Sequence, residues 1–513
     1  MAGAEIFVFL LVAVALLAGF GLRYDVPYPI VLVVGGLALG FVPWLPEPDL
    51  SPDLILFAFL PPLLYAAAFE ASAYELRANA VPISLLAVGL VLATLLAVAV
   101  AAHHVAGVPW AMAFVLGAVL GPTDPVAAAA VLRRLGAPTR IQTILEGESL
   151  VNDGTGLTAY GIAVSALGAA AITVHGVLLE FVVTAAGGIA IGLAVGWVIG
   201  RLREATREPS IDVVLSLLTP FAAYVPAEQI HVSGVLAVVT AGVFVGTRSL
   251  ELSHAGARLR TLAFWQSLEF LLQGLLFLLV GLQLTNLVDG IEGARLLDLA
   301  FEAVVIALVV IGIRLLWMTV VPAVSHLRIV SREPTPPAER LVLGWSGMRG
   351  AVSLAAALAI PVDAPARDLV IFLAYVVVLI TLVVPGLTLG PLLARLGLAR
   401  DEERRREEVE ARLRLTRAAL ERLDAMHEDR SDIVEGLRDR YRSRVDRLED
   451  RLNAAGGHPQ HNVDAAEAQL EALDAEREVL AGLRRDREFP AELLRELEAE
   501  LDVDEARVRS RGR

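Results

Sequence analysis

The sequence predicts an all-α polytopic membrane protein followed by a charged helical tail. Three observations carry that prediction. Of 513 residues, 56% are hydrophobic, against about 45–50% in soluble domains. The apolar excess is confined to residues 1–398, whereas residues 401–513 hold 31 of the 57 acidic residues together with 23 arginines. The arginines between the apolar runs are also strongly one-sided. The predicted organisation is a membrane domain over 1–398 and a cytoplasmic helical tail over 399–513.

Apolar windows of about 20 residues are long enough to cross a bilayer. Thirteen occur, near 4–22, 27–44, 53–71, 80–102, 108–132, 141–167, 174–200, 210–226, 230–247, 261–284, 297–322, 340–361 and 368–393. The first lacks a basic leader and a small-residue cleavage site, so it reads as a retained span rather than a signal peptide. Taking the loops alternately, one set carries fourteen arginines (23, 77, 133, 134, 140, 201, 203, 207, 248, 258, 260, 328, 332 and 340) and the other only Arg295 and Arg367. Positive charge marks the cytoplasmic side. The N-terminus is therefore expected outside and the tail inside.

Two windows look broken. The fifth contains Gly121-Pro122-Thr123-Asp124-Pro125, and proline removes a backbone donor and clashes with the preceding turn. The twelfth contains Gly344-Trp345-Ser346-Gly347-Met348-Arg349-Gly350. If windows 1–6 and 8–13 form two halves, each break falls in the fifth helix of its half. Paired interruptions of this kind mark the midplane site of inverted-repeat secondary transporters.

The sixth window carries the densest polar stretch, Glu146-Gly147-Glu148-Ser149-Leu150-Val151-Asn152-Asp153. Glu148 and Asn152 are four residues apart, as are Ser149 and Asp153, so each pair shares a helix face. A carboxylate in the bilayer costs several kcal/mol unless it is paired, protonated or bound to an ion. Asp153 suits a monovalent cation or a proton, with Ser149 adding the neutral oxygen that hard cations accept. Competition for one carboxylate would couple the two movements. The plainer alternative is a set of hydrogen-bonding groups between helices. Asp124 lies where unwound carbonyls and half-helix ends face an ion; it or Thr123 can equally cap the second half-helix. Arg314, inside the eleventh window, needs a buried partner or a route to the interface. Arg349 is placed to offset an exposed half-helix C-terminus.

These residues also carry a family resemblance. Over roughly residues 5–395 the chain resembles bacterial sodium/proton antiporters of the cation:proton antiporter-1 family, relatives of the sodium/proton exchangers. The matching motifs are Phe59-Leu60-Pro61-Pro62-Leu63-Leu64-Tyr65, Gly121 to Pro125, Glu148-Ser149 with Asn152-Asp153, Ala227-Glu228 with His231, Ser233 and Gly234, and Gly347-Met348-Arg349-Gly350-Ala351. The resemblance implies a homodimer with thirteen spans and crossed, discontinuous helices 5 and 12. It implies that Asp153 carries the cation or proton, with Thr123, Asp124 and Ser149 lining the same site, and that Glu148 pairs with Arg314 while Asn152 hydrogen-bonds within that pair. Asparagine before the aspartate implies electroneutral one-for-one exchange. The pattern departs at Ala66, where relatives often have an acid. Glu70, one turn later, is expected either to replace it as an accessory ligand or cation attractor in the access funnel, or to sit as an ordinary carboxylate at the cytoplasmic end of its helix.

The expected function is antiport of protons against Na+, with Li+ or K+ as alternatives, in a bacterial inner membrane and in the service of pH homeostasis. A potassium/proton antiporter is the nearest alternative. A cation channel would normally line a continuous pore with a filter segment, and none is evident. An intramembrane aspartyl protease would need its Gly-x-Gly-Asp signature, absent around Asp124 and Asp153. The sequence thus predicts a transporter rather than an enzyme, with no cofactor, no nucleic-acid partner, and lipid, cations and protons as its contacts. It has no cysteine, hence no thiol chemistry. In the tail, 401–455, 463–487 and 490–508 read as amphipathic helices forming a small bundle or coiled coil.

Overall fold

The computed structural model describes residues 3–24, 26–42, 57–124, 126–168, 174–206, 208–249, 255–288, 293–324, 335–398, 402–425 and 431–453, with scattered positions between 469 and 505. The chain divides into two compact units, Met1–Asp401 and Glu402–Arg513.

Backbone in lipid must satisfy its own polar groups, so apolar runs of Leu, Val and Ala form helices. In the first unit these are α1 (Gly3–Arg23), α2 (Tyr28–Gly40), α3 (Leu60–Glu70), the short α4 (Ala73–Ala78), α5 (Ala80–Ala106), α6 (Trp110–Leu120), α7 (Val126–Leu135) and α8 (Thr139–Ser165). There follow α9 (Val174–Ala205), α10 (Pro209–Gln229), α11 (Gly234–Thr247), α12 (Ala255–Val288), α13 (Gly293–Val324), α14 (Pro337–Trp345), α15 (Ala351–Leu358) and α16 (Arg367–Arg395). No strand occurs among the described residues. Within these residues seven helices are long and apolar enough to cross a membrane: α1, α5, α9, α10, α12, α13 and α16. α8 has the length, at 27 residues, but its carboxylates lower its apolar character.

Packing sorts the helices into two groups. α12 lies along α2, and α11 lies along α9, α3 and α10. α13 lies along α5 and α16, while α6 packs against α5 and α8. The first group is tightened by small residues, as lipid offers no hydrophobic drive between helices. At the α2–α12 contact, a Cβ on either Gly36 or Gly281 would overlap the facing backbone.

The second group contains both interruptions. α6 stops at Leu120 and α7 begins at Val126; α14 stops at Trp345 and α15 begins at Ala351. The proline signal falls in the first gap and Gly347 to Gly350 in the second, while Gly344 belongs to the last turn of α14.

In the second unit, α17 (Glu402–Asp424) and α18 (Ser431–Asn453) pack side by side. Arg417 pairs with Glu449 at 2.6 Å and Arg438 with Asp424 at 3.2 Å, which sets the two helices antiparallel. Leu413 and Leu448 are buried. The helices expected over 463–487 and 490–508 lie mostly outside the described residues.

Candidate functional site

The two breaks touch one another. The backbone N–H of Asp124, in the α6–α7 gap, donates to the Met348 carbonyl in the α14–α15 gap at 2.9 Å. Each half-helix C-terminus, left with orphan carbonyls, receives an arginine. Arg349 Nε donates to the Leu120 carbonyl at the end of α6 at 2.8 Å, and its Nη1 donates to the Gly347 carbonyl at 2.9 Å. Arg314 Nε, reaching from α13, donates to the Leu343 carbonyl near the end of α14 at 3.0 Å. Cationic donors suit the negative end of a helix dipole.

Arg314 also holds Glu148. Its Nη1 and Nη2 donate to the two carboxylate oxygens at 2.5 and 2.8 Å, with both side chains 1% exposed. The Thr123 hydroxyl donates to Glu148 Oε1 at 2.8 Å. Asn152 Nδ2 donates to the Thr123 hydroxyl at 2.7 Å and to its carbonyl at 3.1 Å. Glu148, Asn152, Thr123 and Arg314 thus form one fully buried network, in which Asn152 reaches the ion pair only through Thr123 and not by the direct hydrogen bond expected from the resemblance. It ties α8 to the first break through Thr123 and to the second break through Arg314. Asn152 Oδ1 and Arg349 Nη2 have no partner among the described residues.

Two glycines make room for this arrangement. A Cβ at Gly347 would overlap the Arg314 side chain, and one at Gly350 would overlap the Asp124 carboxylate. Their job is close approach of backbone to side chain.

Asp153 stands apart from the network. It is 7% exposed, and no hydrogen bond reaches its carboxylate from any described residue. The charged group acting on it is Asp124. Ser149, half-buried, precedes it by one turn of α8. An unpaired carboxylate this deep is costly unless a proton or cation joins it.

Glu70 lies elsewhere. It is exposed at the end of α3, in the field of Arg133. Glu146 and Glu269 feel Glu70 and Arg133 as well. Glu269 accepts from Gln273 Nε2 at 2.8 Å, and Gln273 Oε1 accepts from the Tyr28 hydroxyl at 2.7 Å. Sequence reasoning gave no role to Glu146, Glu269, Gln273 or Tyr28. The available signal was a polar pair four residues apart, Glu269 and Gln273, in an otherwise apolar window.

A second buried ion pair has no signal in the local sequence pattern. Arg203 Nε and Nη2 donate to Asp212 at 2.7 and 2.8 Å, and Thr261 donates to the same carboxylate at 3.3 Å. This joins α9, α10 and α12 far along the chain from the breaks.

A helical membrane fold in which two broken helices meet, with a buried, unpaired carboxylate in the field of Asp124 at one break, marks a secondary ion transporter. The family model described as sodium/hydrogen exchanger, transmembrane, matches residues 8–395. The chain is 34% identical over 401 residues to the Na(+)/H(+) antiporter ApNhaP of Aphanothece halophytica, covering 78% of this chain and 75% of that one. It is 32% identical over 511 residues to a sodium, potassium, lithium and rubidium/H(+) antiporter of Bacillus pumilus, covering 93% and 75%. Its fold matches the sodium proton antiporter MjNhaP1 of Methanocaldococcus jannaschii with a TM-score of 0.64 at 20% identity, over 78% of this chain and all of that one. The chain belongs to the sodium/hydrogen exchanger family and is a cation/proton antiporter.

Proposed function

We propose that the protein exchanges one Na+ for one H+ across a bacterial inner membrane, with both ions using Asp153 in turn. The observation that carries this reading is the Asp153 carboxylate, buried and without a hydrogen-bond partner among the described residues, beside Asp124. Protonated Asp153 releases H+ as Na+ arrives. Na+ then takes oxygens from Asp153, Asp124, Ser149 and Thr123, and a proton displaces it on the other side. Each half-cycle moves one unit of positive charge, so the exchange is electroneutral. Asn152, occupied as a donor to Thr123, adds no second titrating carboxylate. Glu148, Arg314 and Arg349 act as fixed charges that hold the broken helices. Glu70 serves as a cation attractor at the cytoplasmic mouth, supported by its grouping with Glu146 and Glu269.

The membrane domain over 1–398 has thirteen spans in two inverted halves. α6–α7 forms the fifth and α14–α15 the twelfth, crossing at the contact between Asp124 and Met348. The N-terminus is outside, the tail over 399–513 is cytoplasmic, and the protein works as a homodimer in pH homeostasis. The one-sided arginines and the contact between the breaks support this arrangement. The breadth of alkali cations in the name of the Bacillus pumilus relative favours K+ and Li+ as further substrates.

Proteoliposomes with an imposed pH gradient test the reading. Added Na+ should dissipate the gradient at a rate that an imposed membrane potential does not change. A rate that follows the potential would overturn one-for-one exchange, and K+ outpacing Na+ would reassign the principal cation.

A further inference from the structure

A small apolar cavity lies between α2, α12, α15 and α16. Val33, Phe277 and Val280 line one wall, from α2 and α12. Leu354, Val378 and Leu382 line the other, from α15 and α16. These walls belong to the two different helix groups, so the cavity lies on the seam between them. Gly350, whose Cβ position is filled by the Asp124 carboxylate, also borders the cavity. The seam therefore runs from Asp124 into an apolar gap.

One polar contact crosses that seam at the cavity. Tyr375 of α16, 3% exposed, lines the cavity and donates its hydroxyl to Gln283 Oε1 of α12. Tyr375 is eight residues into α16, roughly 12 Å at the helical rise. In the orientation proposed above, α16 begins at the outer face, so this bond lies between Asp124 and the outside. The polar side chains Glu269, Gln273 and Tyr28 lie on the earlier, inner stretches of α12 and α2.

We propose that the Tyr375–Gln283 hydrogen bond is the outer latch of the exchange cycle. Sliding or tilting one helix group against the other must break it. While the seam is closed, the two polar groups satisfy each other in an apolar surround, where an unpartnered polar group is costly. Once the seam opens outward, water satisfies both. The bond therefore favours the outward-closed state selectively, which is what a residue needs in order to shift a conformational equilibrium. The proposal rests on the alternating-access reading of the exchange.

The chain has no cysteine, so a single introduced thiol reports cleanly. Leu354→Cys, or Val378→Cys as an independent reporter, is placed in full-length protein in sealed, right-side-out vesicles. A membrane-impermeant maleimide is then added outside. Adding Tyr375→Phe should speed labelling roughly three- to tenfold, the population change expected from one lost interhelical hydrogen bond. It should also lower the external Na+ concentration for half-maximal exchange. Gln283→Leu, on the opposite helix, should do the same, and the double variant should add little. Labelling that is unchanged or slower in both single variants, while exchange persists, overturns the latch. A reporter reached only from the cytoplasmic side, or a parent without Na+-driven proton movement, would instead overturn the underlying orientation or exchange reading.

Discussion

Arg314 holds both carboxylate oxygens of Glu148, at 2.5 and 2.8 Å, in a place where neither side chain is more than 1% exposed. Neither residue is left free for ion exchange by this geometry. The pair is a fixed strut from α13 to α8, and Thr123 extends it to the first helix break.

Removing one half of the strut should therefore damage stability. Glu148→Gln leaves Arg314 buried without its counter-ion, which costs about 3–5 kcal/mol where such a pair is broken. Thermal unfolding of the purified protein should show a large loss for Glu148→Gln. The double variant Glu148→Gln/Arg314→Met should recover much of it, because no buried charge remains stranded. Equal losses in both would show that the strut is not electrostatic.

Gly350 is expected to be intolerant of even one methyl group. Its Cβ position coincides with the Asp124 carboxylate, so Gly350→Ala must push Asp124 aside or open the contact between the breaks. Half-maximal Na+ concentration should rise at least about tenfold, since cation affinity depends on oxygen placement to a fraction of an ångström. Gly312→Ala, where a Cβ meets nothing within 4 Å, is the control and should exchange normally.

The sequence and the structure agree where chemistry is out of place. The cost of ionisable groups in apolar runs singles out Asp153, Glu148 and Arg314, whereas the pairing of Glu148 with Arg314 follows from the family resemblance, because an arginine near a helix end can equally snorkel to the interface. The breaks are legible because Pro122 and Pro125 flank Thr123-Asp124 and a glycine-rich run is concentrated at the second break, although single prolines such as Pro220 and Pro385 are accommodated within helices. Thr123, a proposed ion ligand, also ties the site together: its hydroxyl donates to Glu148 and accepts from Asn152. That engagement depends on how α8 packs against the break, which no local pattern encodes. Arg203 looks like a loop charge in the sequence. Its burial against Asp212 is set by the packing of α9 on α10. Glu269 and Gln273 form a polar pair four residues apart in an apolar window, but what the pair does depends on its neighbours from α2, α3 and α8.

Glu70 should act through its field rather than by contact. Its neighbours are Arg133, Glu146 and Glu269, and its side chain is exposed. Glu70→Gln should raise the half-maximal Na+ concentration about twofold at low ionic strength. The effect should vanish near 1 M of an untransported salt, where screening shortens to about 3 Å. Maximal exchange rate should not change. A salt-independent loss would mean that Glu70 touches the ion.

The central claim is that cation and proton share Asp153. It is tested most directly by counting protons released when Na+ is added to purified protein in weakly buffered solution, at a pH where the site is protonated. Wild type should release about one proton per bound Na+, and Asp153→Asn should release none. Undiminished release from Asp153→Asn would contradict the shared site and move the exchange chemistry to another carboxylate.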